Sequence, residues 1–213
     1  RWQADIIEER AVLNDERPSL VYCAPTSGGK TLIAELACIH SACCLHKKSL
    51  FIVPYVSLVQ EKYQSFKQKC HGTGMSVKAC FGERNPLSVL SGNIIVCTID
   101  KANMIVNILL QYSRECRTSG GGIRSLGCVV VDECHLLGNG ERGAVLETLL
   151  SKLIFLRRQS RNFKRPVNIQ LIGMSATVNN VNELSYWITE NNMPAFVADF
   201  RPVTLTEHAI CSH

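Results

Sequence analysis

Short apolar runs rich in β-branched residues alternate with longer stretches of helical period along nearly the whole chain, and this alternation constrains the fold more than any other feature. The runs are 20–23, 50–53, 77–80, 94–97, 128–131, 169–172 and 196–198, and the helical stretches are 31–45, 56–70, 101–114, 144–157 and 181–190. Runs that are apolar throughout, with no polar alternation, are buried on both faces. Strands linked by helical crossovers pair in parallel, because the right-handed connection is the one that packs back on the sheet. The expected fold is therefore α/β, a mostly parallel, doubly wound sheet with helices on both faces. With 213 residues, 46% hydrophobic and 19% charged, the chain has enough apolar material for one large buried core and too much for disorder over most of its length. The longest apolar stretch, 32–45, is interrupted by Glu35 and His40, which excludes a membrane-spanning helix of ~18 uninterrupted residues.

In such a sheet, ligands gather at the carboxyl ends of the strands, and the unusual residues of this sequence stand there. After the first run comes Ala24-Pro25-Thr26-Ser27-Gly28-Gly29-Lys30-Thr31, then an apolar helix. This matches the phosphate-loop pattern GxxxxGK[ST] except for Ala24 in place of the first Gly. Small residues let consecutive backbone N–H groups turn toward phosphate oxygens, the helix N-terminus adds its dipole, Lys30 brings a positive charge, and Thr31 offers a hydroxyl to Mg²⁺. The run at 128–131 ends in Asp132-Glu133-Cys134-His135. A carboxylate here, facing the phosphate loop, suits Mg²⁺, which assigns Asp132 to the metal; Glu133 is placed to accept a proton from an attacking water. The expected class is a RecA-like P-loop NTPase domain using ATP and Mg²⁺.

Together with Ser175-Ala176-Thr177 after the sixth run, these segments resemble motifs I, II and III of superfamily two helicases. The resemblance implies that Ser175, Ala176 and Thr177 couple nucleotide state to movement between domains, with His135 as their partner across the cleft, and that Gln3 reads the adenine edge. Pro54 to Leu58 with Lys62 resembles motif Ia and 98–103 resembles motif Ib. Pro54, Ser57, Lys62, Gly82, Thr98, Lys101 and Arg142 are then assigned to nucleic acid, where hydroxyls, backbone N–H groups and helix starts suit phosphates without reading sequence. The segments 129–138, Arg142-Gly143, 173–177 and 200–203 resemble the superkiller-type branch, and within it the helicase-like domains of the DNA polymerase theta and helicase Q type. Cys134, where relatives often carry Leu or Ile, and a basic stretch before Val167 are departures.

The resemblance implies a first RecA-like domain over 1–203, the start of a linker over 204–213, and a second RecA-like domain elsewhere in the parent chain that supplies arginine to the transition state. It implies an ATP-dependent DNA helicase or translocase acting on single-stranded or branched DNA in repair, in the nucleus, and slow hydrolysis by this segment alone. An RNA helicase of the same branch and a nucleotide-gated clamp that does not unwind remain alternatives, and whether a polymerase domain follows is open. A chain that begins with Arg1 is expected to be part of a longer protein.

The charge is +5, and its excess is local: Arg157, Arg158, Arg161, Lys164 and Arg165 fall in a stretch without an acid, and the rest is formally neutral. The expectation is a solvated insertion at the amino ends of the strands, opposite Lys30. A second surface insertion is expected at 117–124. Eleven cysteines with no CxxC pair, two of them adjacent (Cys43 and Cys44), match no zinc template, and they read as free thiols in a reducing compartment.

Overall fold

The computed structural model describes residues 2–14, 17–25, 29–115, 122–160, 166–176, 180–190 and 193–198. The elements in chain order are α1 (Trp2–Glu9), β1 (Leu20–Cys23), α2 (Lys30–Cys43), β2 (Lys48–Val53), α3 (Val56–Lys69), β3 (Val77–Cys80), β4 (Ile94–Thr98), α4 (Ile99–Glu115), β5 (Leu126–Val131), α5 (Gly140–Ser160), β6 (Gln170–Ser175), α6 (Val181–Thr189) and β7 (Phe196–Val197), with short 3₁₀ turns at Pro86–Val89, Gly122–Ser125 and Cys134–Leu136. The strands form one sheet in the order β3-β4-β2-β5-β6-β1-β7, and every described pairing is parallel.

Successive residues on a strand point to opposite faces, and here each face has its own core. Leu20 and Tyr22 of β1, Phe51 and Val53 of β2, and Cys128 and Val130 of β5 join Ile6 of α1, Ile33 and Cys38 of α2, and Phe66 of α3. Val21 and Cys23, Leu50 and Ile52, and Val129 and Val131 join Ile105 and Leu109 of α4, Leu146 and Leu153 of α5, and Ile188 of α6. Burial on both sides explains why β1, β5 and β6 carry no exposed residue. Phe51 meets Phe66 edge-on at 5.4 Å between ring centroids, and truncating Phe66 to Ala would cost about 3–5 kcal/mol.

Three expectations change. Residues 2–9 are helical, where the sequence pattern gave no element. The helix expected at 144–157 extends to Ser160, so Arg157 and Arg158 are helical and not in a loop. Arg157 is no solvated charge either: its side chain is 14% exposed and binds Glu190, itself 2% exposed. Its Nη1 also donates to Ser19 Oγ and to the Ile169 carbonyl. Those partners do lie at the amino ends of β1 and β6, the pole expected; residues 161–165 are outside the described residues. The second expected insertion, 117–124, is not borne out at its carboxyl end. Gly122 and Ile123 are buried, and Gly122 sits at φ +70° where an added Cβ would lie 2.2 Å from Ser113 Oγ, while 117–121 are outside the described residues.

Candidate nucleotide and nucleic-acid site

Because the sheet is parallel, the residues following β1 to β6 share one pole. The strand order divides that pole in two. Adjacent strands β5, β6 and β1 present Asp132 to His135, Ser175-Ala176 and the phosphate loop; adjacent strands β3, β4 and β2 present Gly82, Thr98 with Lys101, and Pro54 to Ser57.

Gly29 enters α2 in the left-handed region at φ +77°, and a Cβ there would lie 2.7 Å from Gln3 Nε2. Gly29 therefore meets both demands, positive φ and close approach, and Gln3 of α1 lies against it. Ala24 is buried and Pro25 half-buried at the end of β1; Thr26, Ser27 and Gly28 are outside the described residues. Lys30 and Thr31, both half-buried, open α2. A residue not singled out in the sequence braces this turn: the fully buried Tyr22 donates its phenol to the Lys30 carbonyl at 2.6 Å. A phenol in a run of aliphatic residues has to find such a partner, and that is the signal that could have found it.

Asp132 continues the sheet, donating its amide to the Ile52 carbonyl at 2.9 Å, and its Oδ1 accepts from the Glu133 amide at 3.0 Å. Burial, and then the neighbouring Glu133, push the Asp132 carboxyl above the ordinary carboxylate range; Lys62 and Lys30 offset part of this. Glu133 occupies the left-handed region at φ +53°, a conformation that costs a non-glycine residue about 1–3 kcal/mol and clusters at functional sites. Its Oε1 lies 4.0 Å from Lys30 Nζ. Its buried Oε2 receives no hydrogen bond among the described residues, although His135 Nδ1 is 3.2 Å away. The two facts are consistent, because that nitrogen accepts the Ala176 amide at 3.4 Å and so carries no proton for Glu133. The imidazole thus links the acidic box to the segment after β6. The Ala176 carbonyl accepts from Ser175 Oγ at 2.7 Å and from Cys23 Sγ at 3.4 Å; Thr177 is outside the described residues.

The assigned nucleic-acid residues separate by accessibility. Ser57 and Gly82 are exposed, Thr98 and Lys101 half-buried, and Pro54 is buried, so Pro54 offers no side-chain contact. Lys62 is only 15% exposed, pairs with Glu61 at 3.1 Å and faces the acidic box closely enough to affect Asp132. Arg142, in the first turn of α5, lies over the Tyr55 ring at 5.4 Å.

The site has the charge balance expected of a place for a metal-bound polyphosphate. Two adjacent carboxylates face Lys30, one of their oxygens lacks a donor among the described residues, and the loop glycine clears space that a side chain would fill. Comparison with known proteins agrees. The family model for DEAD/DEAH box helicases matches residues 2–184. The chain is 38% identical to mouse DNA polymerase theta, over 97% of this chain and 8% of that protein. It is 35% identical to the human protein called Helicase POLQ-like, over 97% and 17%, and 33% identical to the ATP-dependent DNA helicase Hel308 of Methanococcus vannielii, over 95% and 24%. The chain therefore spans less than a quarter of the length of each of these relatives. The fold matches the crystal structure of the DUF1998 helicase MrfA with a TM-score of 0.67 and 22% identity, over 93% of this chain and 30% of that one. A RecA-like sheet, a phosphate loop facing an Asp-Glu-Cys-His box and a family match over residues 2–184 lead to one conclusion: the chain belongs to the DEAD/DEAH box helicase family.

Proposed function

We propose that this chain is the ATP-binding half of an ATP-dependent DNA helicase or translocase of the polymerase theta and POLQ-like type, acting on single-stranded or branched DNA in nuclear repair. The observation that carries the reading is the approach of Lys30 to Glu133 across the end of β6, with the acidic box and the phosphate loop on either side. Gln3 takes the adenine edge; the loop from Ala24 to Thr31, including Thr26, Ser27 and Gly28, takes the phosphates; Thr31 and Asp132 hold Mg²⁺. Bound magnesium would neutralise phosphate charge and offset the burial and the Glu133 charge that raise the Asp132 carboxyl.

The chain's own residues do the rest. Lys30 turns its charge from Glu133 to phosphate, which frees the Glu133 carboxylate to take a proton from water. His135 holds the Ala176 amide, so a shift of the acidic box is passed to Ser175, Ala176 and Thr177. Ser57, Lys62, Gly82, Thr98, Lys101 and Arg142 serve the DNA side of the same pole. A second RecA-like domain supplies an arginine to the transition state, a contribution of about 10³–10⁵ in rate, and hydrolysis by this domain alone is correspondingly slow.

Two variants test the assignment. Lys30→Ala removes ATP binding measured by calorimetry, and unchanged affinity would refute the phosphate loop. In the full-length protein, Glu133→Gln keeps ATP binding and loses DNA-stimulated turnover; near-normal turnover would show that Glu133 is not the base.

A further inference from the structure

Two arginine-covered aromatic rings stand at the half of the pole formed by β3, β4 and β2. Phe81 follows β3 with Arg84 over it at 4.4 Å; Tyr55 follows β2 with Arg142 over it at 5.4 Å. The two pairs differ in what they leave open. Phe81 is partly buried against the core, and Arg84 is tied down by a hydrogen bond from Nη1 to the Ala79 carbonyl at 3.1 Å, so that stack is closed. Tyr55 is 52% exposed beside an equally open Val56. Arg142 is exposed and makes no hydrogen bond or ion pair with any described residue.

The local sequence choice is also unusual. Tyr55 is the N-cap of α3 and makes no side-chain capping bond, at a position where Ser, Thr, Asp or Asn is strongly preferred. The chain gives up a cap in exchange for an exposed ring that contributes little to the core. A break in a local rule without a structural gain is what functional positions show.

We propose that Tyr55, flanked by Arg142, is a stacking platform for one base of single-stranded DNA. This rests on the reading that this pole binds nucleic acid, and it adds a contact to bases where the other assigned residues serve the phosphate backbone. Every base has a π face, so the platform tolerates any sequence, and a guanidinium held at the ring strengthens the stack by cation–π attraction. Val53 of β2 is paired with Thr98 of β4. Neighbouring strands are ~4.8 Å apart, so the Thr98 hydroxyl and the Tyr55 ring serve the same short length of DNA.

Fluorescence anisotropy with the full-length protein tests this, using a labelled oligothymidylate and an abasic strand of equal length and charge. Tyr55→Ala should weaken binding of the thymidylate strand by roughly 5- to 100-fold and change abasic binding less than about twofold, while Tyr55→Phe retains both. Equal losses on the two strands, or no loss on either, would overturn the platform. An abasic strand bound as tightly as thymidylate by the unmutated protein would overturn it too. Failure of the unmutated protein to bind either strand would overturn the nucleic-acid reading and the platform with it.

Discussion

Arg157 is the place where a surface-like sequence hides a buried structural contact. Replacing it with Met keeps an apolar stem of similar length and removes the guanidinium. Glu190 is 2% exposed and would lose the Arg157 guanidinium, while Arg158, which is 60% exposed, stays beside it; Ser19 Oγ and the Ile169 carbonyl would lose a donor. Breaking a buried pair by removing one partner costs about 3–5 kcal/mol. Arg158 stays and water can reach this edge of the sheet, which puts Arg157→Met at the lower end, about 3 kcal/mol. Against a total stability of about 5–15 kcal/mol that is a large fraction, and with a urea slope near 2 kcal/mol/M it lowers the midpoint by about 1.5 M. Glu190→Gln is the right companion, because it keeps a side chain at φ +56° and removes only the charge. The double variant should lose at least about 1 kcal/mol less than the two single losses combined, and Arg158→Met alone should cost under about 1 kcal/mol. A loss below about 0.5 kcal/mol for Arg157→Met, the level of an ordinary surface change, or strict additivity, would refute the buried clamp.

Two further outcomes are expected. Since burial and Glu133 raise the Asp132 carboxyl above its ordinary 3.8, the fold favours the protonated form: the site's contribution to stability is full below 3.8 and lost as pH rises through the raised value. Asp132→Asn, which keeps the acceptor for the Glu133 amide, should therefore raise Tm at pH 7 and lose that gain in acid; a gain independent of pH would count against it. Burial pushes the Cys97 and Cys134 thiols up, whereas Cys43 and Cys44 are exposed. Iodoacetamide at pH 8 should modify Cys43 and Cys44 in the native chain and reach Cys97 and Cys134 only after denaturation, with Cys134 labelled as fast as Cys43 as the contrary result.

The sheet was legible because its strands carry their burial in their own composition: each of the runs at 20–23, 94–97 and 128–131 lies within an observed strand. The family was legible in 24–31 and 132–135, because such motifs demand particular residues in consecutive order, and the family match over residues 2–184 agrees. What escaped was non-local. Helix α1 is short, and its buried Trp2 packs against Tyr22 and Phe196, partners far along the chain that no local pattern announces. Arg157 reads as one more charge in a basic tract, because Ser19, Ile169 and Glu190 are brought to it only by the folded sheet. The Tyr55–Arg142 pair is of the same kind, joining the start of α3 to the start of α5.

The position of β1 has a consequence for the order in which the chain can assemble. Leu20 pairs with Ile172 and Tyr22 with both Met174 and Phe196, so the strand that carries the phosphate loop has its neighbours at the far end of the sequence. During synthesis β2, β4 and β5 can pair among themselves once residue 131 is made, while β1 waits for about forty residues more. The strand β1 and the glycine turn after it are thus among the first segments made and among the last to be fixed in the sheet, and a destabilised variant would be most vulnerable in that interval.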